Sequence, residues 1–309
     1  MINFPSKILL FGEYVVLLRA KALAMPYPLF FSQLKIHDDR SIAEVNDVNS
    51  NQVLLEFYQY IRKTIHQTDM NGRFDLDAFK SDIDRGLYLE SNIPVGYGIG
   101  SSGSLTAAVY DKYSRKYENT DISRDLILQI KNDLAYLESF FHGNSSGIDP
   151  MVSYFRKPLL FRNNRIIVLN DSFYQKDSLE IFLVDTGISR KTADLVQSFL
   201  SNCMDAQYSD AIQQMILSSN ACIKALLADN CNAFFYHGVN LSVSQFAFFK
   251  PIILPSIQSF WEEGFQSGNY FLKLCGSGSG GYLLAFVNNL EAFVSGAEQH
   301  KLSVIPVRF

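Results

Sequence analysis

The sequence predicts an α+β protein in two halves, because short apolar strand patterns alternate with helical patterns and no internal repeat is evident. The length of 309 residues also fits two domains better than one or three. A polar stretch at residues 170–178 separates the patterns of the first half from those of the second. We therefore expect one domain at residues 1–170 and another at residues 171–309.

The first strands are expected near the N-terminus. An apolar run at residues 7–18 is interrupted by Gly12 and Glu13, which predicts two short strands joined by a tight turn. The next apolar stretch, residues 22–31, contains two prolines, so we expect an irregular strand there. Later apolar runs predict further strands at residues 87–90, 157–161, 165–169, 180–185, 270–275, 282–287 and 303–309.

Helices are predicted where apolar residues recur at helical spacing. The clearest pattern, residues 121–141, offers Thr120 or Asp121 as the cap at its N-terminus. A polar turn at residues 142–149 follows it directly. The same spacing predicts helices at residues 53–65, 105–113, 192–203, 208–227 and 254–264.

Composition and charge exclude several classes of protein. Hydrophobic residues make up 48% and aromatic residues 14% of the chain, which is typical of a packed globular protein and not of a disordered one. The 27 basic and 31 acidic side chains give a net charge of −4 with no basic block, so we expect no nucleic-acid partner. The four cysteines form no C-x-x-C pair, which is typical of reduced thiols in a cytoplasmic protein.

Signals for membrane insertion and export are weak as well. No uncharged run approaches the roughly 18 apolar residues that a membrane-spanning helix needs. The N-terminal stretch carries Lys7 and Glu13 and has no small-residue cleavage site, so we expect a buried strand there and not a signal peptide. These observations predict a cytoplasmic protein with no membrane partner.

Two loops rich in glycine and serine, residues 96–102 and 276–281, are candidates for anion binding. Glycine lets backbone N–H groups turn toward an anion, and a helix that starts just after the loop adds the positive end of its dipole. The first loop has this context, since a predicted strand precedes it and a predicted helix follows. Its Ser101 and Ser102 add hydroxyls for phosphate or magnesium. For either loop alone, a glycine-rich turn without a chemical role is an equal alternative.

Two common nucleotide-binding classes do not fit these loops. The chain contains no G-x-x-x-x-G-K-[ST] motif, which disfavours a P-loop NTPase. The spacing of Gly96, Gly98 and Gly100 differs from G-x-G-x-x-G, which disfavours a dinucleotide-binding dehydrogenase.

The segment from Glu138 to Asp149 carries a carboxylate at each end and His142 between them. Taken singly, each has an ordinary structural explanation: a solvated or paired glutamate, a capping aspartate and a hydrogen-bonding histidine. Their combination with motifs elsewhere in the chain changes the interpretation.

Three segments together resemble the motifs of the GHMP small-molecule kinases, the family that includes galactokinase and the homoserine, mevalonate and phosphomevalonate kinases. Residues 5–14 resemble the P-G-K-x-x-L-x-G-E-H motif at the start of those proteins. Residues 94–102 are similar to the P-x-G-x-G-L-G-S-S phosphate loop, and residues 273–281 to the late K-x-x-G-x-G-x-G-G loop. The resemblance implies a two-domain GHMP kinase fold, with an N-terminal domain like ribosomal protein S5 and a ferredoxin-like C-terminal domain.

Within the family, the mevalonate kinase branch is the most similar. Residues 138–149 resemble its E-x-x-x-H-G-N-P-S-G-x-D signature, with Ser145 in place of the proline, and residues 190–196 resemble its R-x-T-x-x-L-V stretch. This resemblance implies ATP-dependent phosphorylation of a hydroxyl group, with Mg²⁺ as cofactor. The implied substrate is mevalonate or a similar hydroxy acid, phosphorylated in isoprenoid biosynthesis.

The resemblance also implies a role for each matching residue. Asp149 would accept the proton of the substrate hydroxyl, with Lys7 beside it, while Ser102 and Glu138 would hold magnesium. Arg190 would pair with a substrate carboxylate. ATP would be held by Pro94, Gly96, Gly98, Gly100, Ser101 and Ser102 of one loop and by Gly276, Gly278 and Gly280 of the other. Substrate contacts are implied for Glu13, Tyr14, His142, Arg190 and Thr192. A homodimer is common in the family.

Two departures from the family pattern leave alternatives open. Tyr14 stands where the family has a substrate-binding histidine, and Ser6 replaces the glycine of P-G-K. Another GHMP enzyme therefore remains an alternative: a phosphomevalonate kinase, a diphosphomevalonate decarboxylase, or a homoserine or sugar kinase. A catalytically inactive binding protein of the same fold is disfavoured, because the proposed base, its lysine and both metal ligands are present.

Overall fold

The computed structural model describes residues 2–37, 45–115, 123–162, 165–170, 179–189, 193–203, 205–276 and 278–308. The strands are β1 (Phe4–Phe11), β2 (Ala22–Ile36), β3 (Leu87–Ser91), β4 (Leu159–Arg162), β5 (Arg165–Val168), β6 (Glu180–Asp185), β7 (Tyr270–Leu274), β8 (Tyr282–Val287) and β9 (Ser303–Pro306). The helices are α1 (Val45–Thr64), α2 (Leu76–Asp84), α3 (Ser101–Tyr113), α4 (Arg124–His142), α5 (Ile148–Phe155), α6 (Ala193–Asn202), α7 (Ser209–Leu227), α8 (Cys231–Phe249), α9 (Pro255–Ser267) and α10 (Leu290–Gln299).

The chain forms two compact units that alternate along the sequence. The first unit comprises residues 1–7, 26–93 and 100–156. The second unit comprises residues 8–25, 94–99 and 157–309. Strands β1 and β2 each contribute residues to both units, and each unit is described separately below.

The first unit combines helices α1 to α5 with strand residues. In this unit the end of β2 pairs antiparallel with β3, in a register that runs from Ser32 opposite Ser91 to Ile36 opposite Leu87. Helix α3 is almost entirely buried from Gly103 onward, because its small side chains let neighbouring elements approach closely. It packs against both α4 and α5, the helices that carry Glu138 and Asp149.

The second unit contains a four-stranded antiparallel sheet with the strand order β7-β8-β6-β9. Every residue of β8 is buried, as expected for a strand with a partner on each side. A cluster of phenylalanines packs around this sheet: Phe11 stacks on Phe286 with ring centroids 5.4 Å apart, and Phe234 and Phe271 adjoin them. The hairpin of β4 and β5 pairs with the start of β2.

The expected second strand near the N-terminus is wrong. The first strand, β1, ends at Phe11, and residues Val15–Leu18 then form a short 3₁₀ helix. Tyr14 has a φ of +62°, so the chain turns sharply at this point instead of continuing as a strand. The apolar side chains that suggested a strand are consistent with this turn, because Tyr14 and Val15 are buried in it.

The irregular strand expected at residues 22–31 is a regular strand of 15 residues, β2. Its prolines lie between the residues that pair with β4, which end at Ala24, and those that pair with β3, which begin at Ser32. Neither proline is therefore required as a donor to β3 or β4.

Helix α4 begins later than expected. Ser123 caps it, its side chain accepting a hydrogen bond from the Leu126 N–H at 3.2 Å, whereas Thr120 and Asp121 lie outside the described residues. Four helices were not expected from the sequence. Helix α5 is short and had been interpreted in part as a turn, and α8 is so rich in phenylalanine that no polar face marks its period. The others are α2 and α10.

The residues expected to form the domain boundary, 171–178, also lie outside the described residues, so the division into residues 1–170 and 171–309 stays a prediction. In the part of the chain that the structure covers, no helix is both long and apolar enough to span a bilayer.

Candidate active site

The centre of the candidate site is an ion pair in the first unit between Lys7 of β1 and Asp149 in the first turn of α5. The Lys7 Nζ lies 3.1 Å from the Asp149 Oδ1. The lysine side chain is only 5% exposed, whereas the aspartate side chain is 31% exposed. Burial of the ammonium requires the carboxylate as its partner, while the carboxylate keeps one side open to solvent and to a substrate.

The N-terminus of α3 lies directly against this pair. Gly100, the residue before the helix, has a φ of +82°. A Cβ at this position would lie 2.9 Å from the Lys7 Cγ and 3.4 Å from the Asp149 Oδ2, so both the backbone angle and the space require glycine. The first N–H groups of a helix have no partners within the helix and attract anions. An anion at this end of α3 would therefore lie close to Lys7 and Asp149.

Gly103, one turn into α3, fixes the distance between α3 and α5. A Cβ there would lie 2.8 Å from the Asp149 carbonyl carbon and 2.9 Å from the Pro150 nitrogen. The backbone of α5 thus touches the backbone of α3 at the residue that carries the exposed carboxylate. The position of Asp149 therefore depends on Gly103 having no side chain.

Glu138 of α4 is the second carboxylate of the site. It is buried, with 4% of its surface exposed. Its burial and then the negative charge of Asp149 raise the pKa of Glu138 to about 8. Hydrogen bonds from Ser145 and Ser102 and the positive charge of Lys7 act in the opposite direction on this pKa.

Both oxygens of Glu138 accept hydrogen bonds from serine hydroxyls. Ser102 Oγ donates to Oε1 at 3.2 Å, and Ser145 Oγ donates to Oε2. Ser102 Oγ also lies 2.9 Å from His142 Nε2. Because a hydroxyl has a single proton, His142 must donate to Ser102 when Ser102 donates to Glu138. The Gly147 N–H donates to Ser145 at 3.0 Å, which ties the turn between α4 and α5 to the same carboxylate.

These residues fit a magnesium ion. The two carboxylates would carry two negative charges when ionised, against one positive charge on Lys7. Burial is the larger cause of the raised pKa of Glu138, and the negative charge of Asp149 adds to it. Carboxylate and hydroxyl oxygens are the hard ligands that Mg²⁺ prefers, and Mg²⁺ usually takes one or two carboxylates together with phosphates. Within the described ranges, no group of three or more His, Cys, Asp or Glu side chains is placed to hold a metal ion.

Glu13 and Tyr14 lie in the second unit, and both are buried. The Glu13 side chain is 1% exposed and forms an ion pair with Lys273. The Tyr14 ring packs on the rings of Phe249 and Phe199, with centroids 4.7 and 4.9 Å away. The substrate contacts implied for Glu13 and Tyr14 stay predictions.

The two glycine-rich loops meet within the second unit. The Tyr282 N–H donates to the Tyr97 carbonyl at 3.3 Å, and the two tyrosine rings lie 4.9 Å apart. A Cβ on Gly281 would lie 2.8 Å from the Tyr97 backbone, so the loops touch through main chain. The Gly281 N–H donates to the Ile188 carbonyl at 2.6 Å, and the Thr186 hydroxyl donates to the Gly281 carbonyl at 2.6 Å. Segments that the sequence separates widely are therefore adjacent here.

The chain is similar in sequence to known proteins. Residues 57–157 match the family model described as the GHMP kinases N terminal domain. The chain is 23% identical to the mevalonate kinase of Dictyostelium discoideum, over 64% of this chain and 62% of that protein. It is 26% identical to the mevalonate kinase of Methanocaldococcus jannaschii, over 63% of this chain and 65% of that protein. The chain thus spans less than two thirds of the length of these curated relatives.

Solved structures resemble the chain over nearly its whole length. A crystal structure of L. major mevalonate kinase in complex with R-mevalonate has a TM-score of 0.66 at 17% identity, covering 99% of this chain and 95% of that one. The Lactococcus lactis galactokinase complexed with galactose has a TM-score of 0.67 at 14% identity, covering 99% of this chain and 92% of that one. At such identities the likeness shows the fold.

The chain has the GHMP kinase fold, and residues 57–157 match the model of the N-terminal domain of those kinases. This confirms the α+β GHMP kinase fold predicted from the sequence and the resemblance to mevalonate kinases.

The structure brings several predicted site residues of this GHMP kinase-fold protein together in the first unit: Lys7, Gly100, Ser102, Glu138, His142 and Asp149. Ser101 begins α3 beside them. Pro94, Gly96, Gly98, Gly276, Gly278 and Gly280 lie in the second unit, in the two loops that meet there. Arg190 and Thr192 lie outside the described residues.

Sequence reasoning missed three residues of this GHMP kinase-fold protein that shape the site. Ser145 was visible only as a departure from the family proline, and its hydrogen bond to Glu138 requires the folded turn. Gly103 follows Ser101 and Ser102 in the sequence, but its contact with α5 depends on long-range packing. Gln245 belongs to no recognised sequence motif, although its side-chain oxygen accepts a hydrogen bond from the Leu274 N–H of β7.

We expect Glu138→Gln to change how stability depends on pH. The pKa of Glu138 rises from 4.5 to about 8 on folding, so the folded protein holds this proton more tightly than the unfolded chain. The wild type therefore loses stability as pH rises between these values, and Gln, which cannot ionise, does not. The melting temperature of the variant relative to the wild type should increase from pH 5 to pH 8.5 in thermal unfolding without metal. If the difference in melting temperature between variant and wild type were the same at every pH, the raised pKa of Glu138 would be contradicted.

We expect Ser145→Ala to raise the pKa of Glu138 further, because the Ser145 hydrogen bond lowers it. The loss of stability with rising pH begins at the same pH in the variant, because the pKa of the unfolded chain is unchanged, but it should continue to a higher pH than in the wild type. Ser146→Ala is the matched control, since the neighbouring Ser146 hydroxyl accepts from the Ile148 N–H, at 3.3 Å, and not from a group of the site. Equal profiles for the two variants would show that Ser145 has no effect on Glu138.

Proposed function

We propose that this protein transfers the γ-phosphoryl group of ATP to the hydroxyl of a small hydroxy acid, with mevalonate as substrate and 5-phosphomevalonate as product. The observation that carries the proposal is the Lys7–Asp149 pair beneath the N-terminus of α3, with Glu138 and Ser102 beside it. This arrangement offers an acceptor for a proton, a positive charge, a helix terminus for phosphate and oxygen ligands for a metal.

Each part has a place in the proposed reaction. Asp149, partly exposed, accepts the proton of the substrate hydroxyl as its oxygen attacks the γ-phosphorus. The bond between that phosphorus and the bridging oxygen breaks, and ADP leaves. The Lys7 ammonium stabilises the negative charge that develops on the attacking oxygen and the transferred group. Phosphoryl transfer depends mainly on such positioning and charge neutralisation.

Ser102 and Glu138 are the residues proposed to hold magnesium. The ion would neutralise charge on the β- and γ-phosphates, as it does in phosphoryl transfer generally. Burial and the negative charge of Asp149 disfavour ionised Glu138, and a bound cation would favour the ionised form, which supports its assignment as a ligand. The glycine residues of the two loops are proposed to bind ATP through their backbone, on the strength of the family resemblance.

The substrate is supported by the relatives. The mevalonate kinases named above match the chain in sequence, and Arg190, through its place in the R-x-T-x-x-L-V stretch, is proposed to bind the carboxylate. We also propose a cytoplasmic protein with no nucleic-acid or membrane partner, supported by the charge balance and by the lack of a C-x-x-C pair. A homodimer is proposed from the family resemblance, and sedimentation would test it.

Substrate identity is tested by coupled assays of ADP release with mevalonate, phosphomevalonate, homoserine and galactose as acceptors. We expect turnover with mevalonate at the highest kcat/KM. The Lactococcus lactis galactokinase is also similar in fold, so the fold alone does not exclude a sugar. No turnover on mevalonate, with turnover on another acceptor, would replace the substrate and retain the reaction.

We expect Asp149→Asn to lower kcat by about 10²–10⁴-fold, the contribution of a general base, while ATP binding is retained. Asp125→Asn is the matched control, because Asp125 is the second residue of α4 just as Asp149 is the second residue of α5. Both changes remove a negative charge near a helix N-terminus, but Asp125 is exposed and lies outside the site. An Asp149→Asn variant with wild-type kcat would refute the role of this residue as the base.

A further inference from the structure

Lys273, in the second unit, is a lysine with no exposed surface. Its ammonium donates to three acceptors: Glu13 Oε1, the Leu9 carbonyl at 3.2 Å and the Leu274 carbonyl at 2.6 Å. The ammonium also lies 5.9 Å from the centre of the Phe11 ring. All three donors of the ammonium are therefore used, inside an apolar part of the core.

A contribution to the stability of the fold is a weak explanation for a buried ion pair such as Lys273 and Glu13. Removing both charges from water costs several kcal/mol per ion, and an apolar pair of similar volume is often as stable or more stable. Phe11, beside the Lys273 ammonium, belongs to a cluster of phenylalanines, so the surroundings of this pair are partly apolar. The pair is better explained by the geometry that its hydrogen bonds impose.

The hydrogen bonds fix the end of β7. This strand lies at the edge of its sheet, so the backbone groups on its outer side need partners other than a strand. At Leu274, the last residue of β7, both groups are held by buried side chains. The Leu274 N–H donates to Gln245 Oε1 at 3.0 Å, and its carbonyl accepts from Lys273. Gln245 is itself only 3% exposed.

The glycine-rich loop of residues 276–281 starts two residues after Leu274. Its glycines all have positive φ angles, between +70° and +128°. Because glycine has no Cβ, the same loop can adopt many other conformations when it is not held in place. The far end of the loop is held at Gly281 by Ile188 and Thr186. The near end is held by Leu274, and through Lys273 it is tied to β1 and to the turn that contains Glu13.

We propose that Lys273 is a positioning residue for this glycine-rich loop, with Glu13 as its counter-ion and Gln245 as its partner at Leu274. The inference rests on the proposed function for the role of the loop in ATP binding. Lys273 itself is buried and does not contact ATP. It acts by holding the loop in the shape that binds the nucleotide and by linking that loop to the first motif of the chain.

The test is ATP binding in the presence of Mg²⁺, measured by calorimetry without an acceptor alcohol. The first variant, Lys273→Met/Glu13→Leu, replaces both charges by apolar side chains, so that no carboxylate is left buried without its partner. We expect it to keep a melting temperature near that of the wild type and to bind ATP at least about 10-fold more weakly, because small displacements of positioning groups have large effects. KM for ATP should rise in parallel.

A second variant, Gln245→Leu, keeps the ion pair and releases only the Leu274 N–H. We expect weaker ATP binding here as well, so the inference can be judged even if the double variant does not fold. Ser242→Ala is the control: it removes the buried hydrogen bond from Trp261 Nε1 to Ser242 Oγ in the same unit, 2.8 Å long. It should lower the melting temperature and leave ATP binding and KM unchanged.

The outcomes separate this inference from the proposed function. If Gln245→Leu and the folded double variant both bind ATP with wild-type affinity, the inference is overturned and the proposed function stays intact. The inference is overturned in the same way if Gln245→Leu weakens ATP binding no more than Ser242→Ala does. A wild-type protein that does not bind ATP would overturn the proposed function, and the inference with it. ATP binding without turnover on mevalonate would change the substrate only.

Discussion

The close approach of α3 to the Lys7–Asp149 pair is the constraint on which the candidate site depends. Gly100 and Gly103 lack the side chains that would separate the helix from the ion pair and from α5. A Cβ at either position would enter space occupied by Lys7 or by the backbone at Asp149. The same two glycines thus place a helix N-terminus, which favours anions, beside a lysine and a carboxylate that is open to solvent.

An unequal charge balance in this cluster follows from that packing. Glu138 is buried near Asp149, and Lys7 supplies one positive charge to both. A site that only supported the fold would be expected to pair each buried charge, because an uncompensated one is costly. Burial and then the charge of Asp149 raise the pKa of Glu138, and such perturbed carboxyl groups cluster at functional sites. The hydroxyls of Ser102 and Ser145 orient this carboxylate in advance.

The sequence predicted the chemistry of the site better than its surroundings. Lys7, Glu138 and Asp149 were singled out because the segments that carry them resemble the motifs of GHMP kinases, and the structure brings the three residues together. Burial depends on contacts between distant segments, so the enclosed state of Tyr14 and the hydrogen bonds of Gln245 left no local signal. The fold shows the same limit. The strands were predicted from their apolar runs, whereas α8 was not predicted, because it is apolar on most sides and its sequence shows no clear helical period.

The most direct measurement is a crystal structure with Mn²⁺ and a non-hydrolysable ATP analogue, in which anomalous scattering locates the metal. The account predicts a metal held by a Glu138 carboxylate oxygen and the Ser102 hydroxyl, close to the Lys7–Asp149 pair. A metal bound only by phosphates and water, with Glu138 still hydrogen-bonded to both serines and outside its coordination sphere, would contradict it.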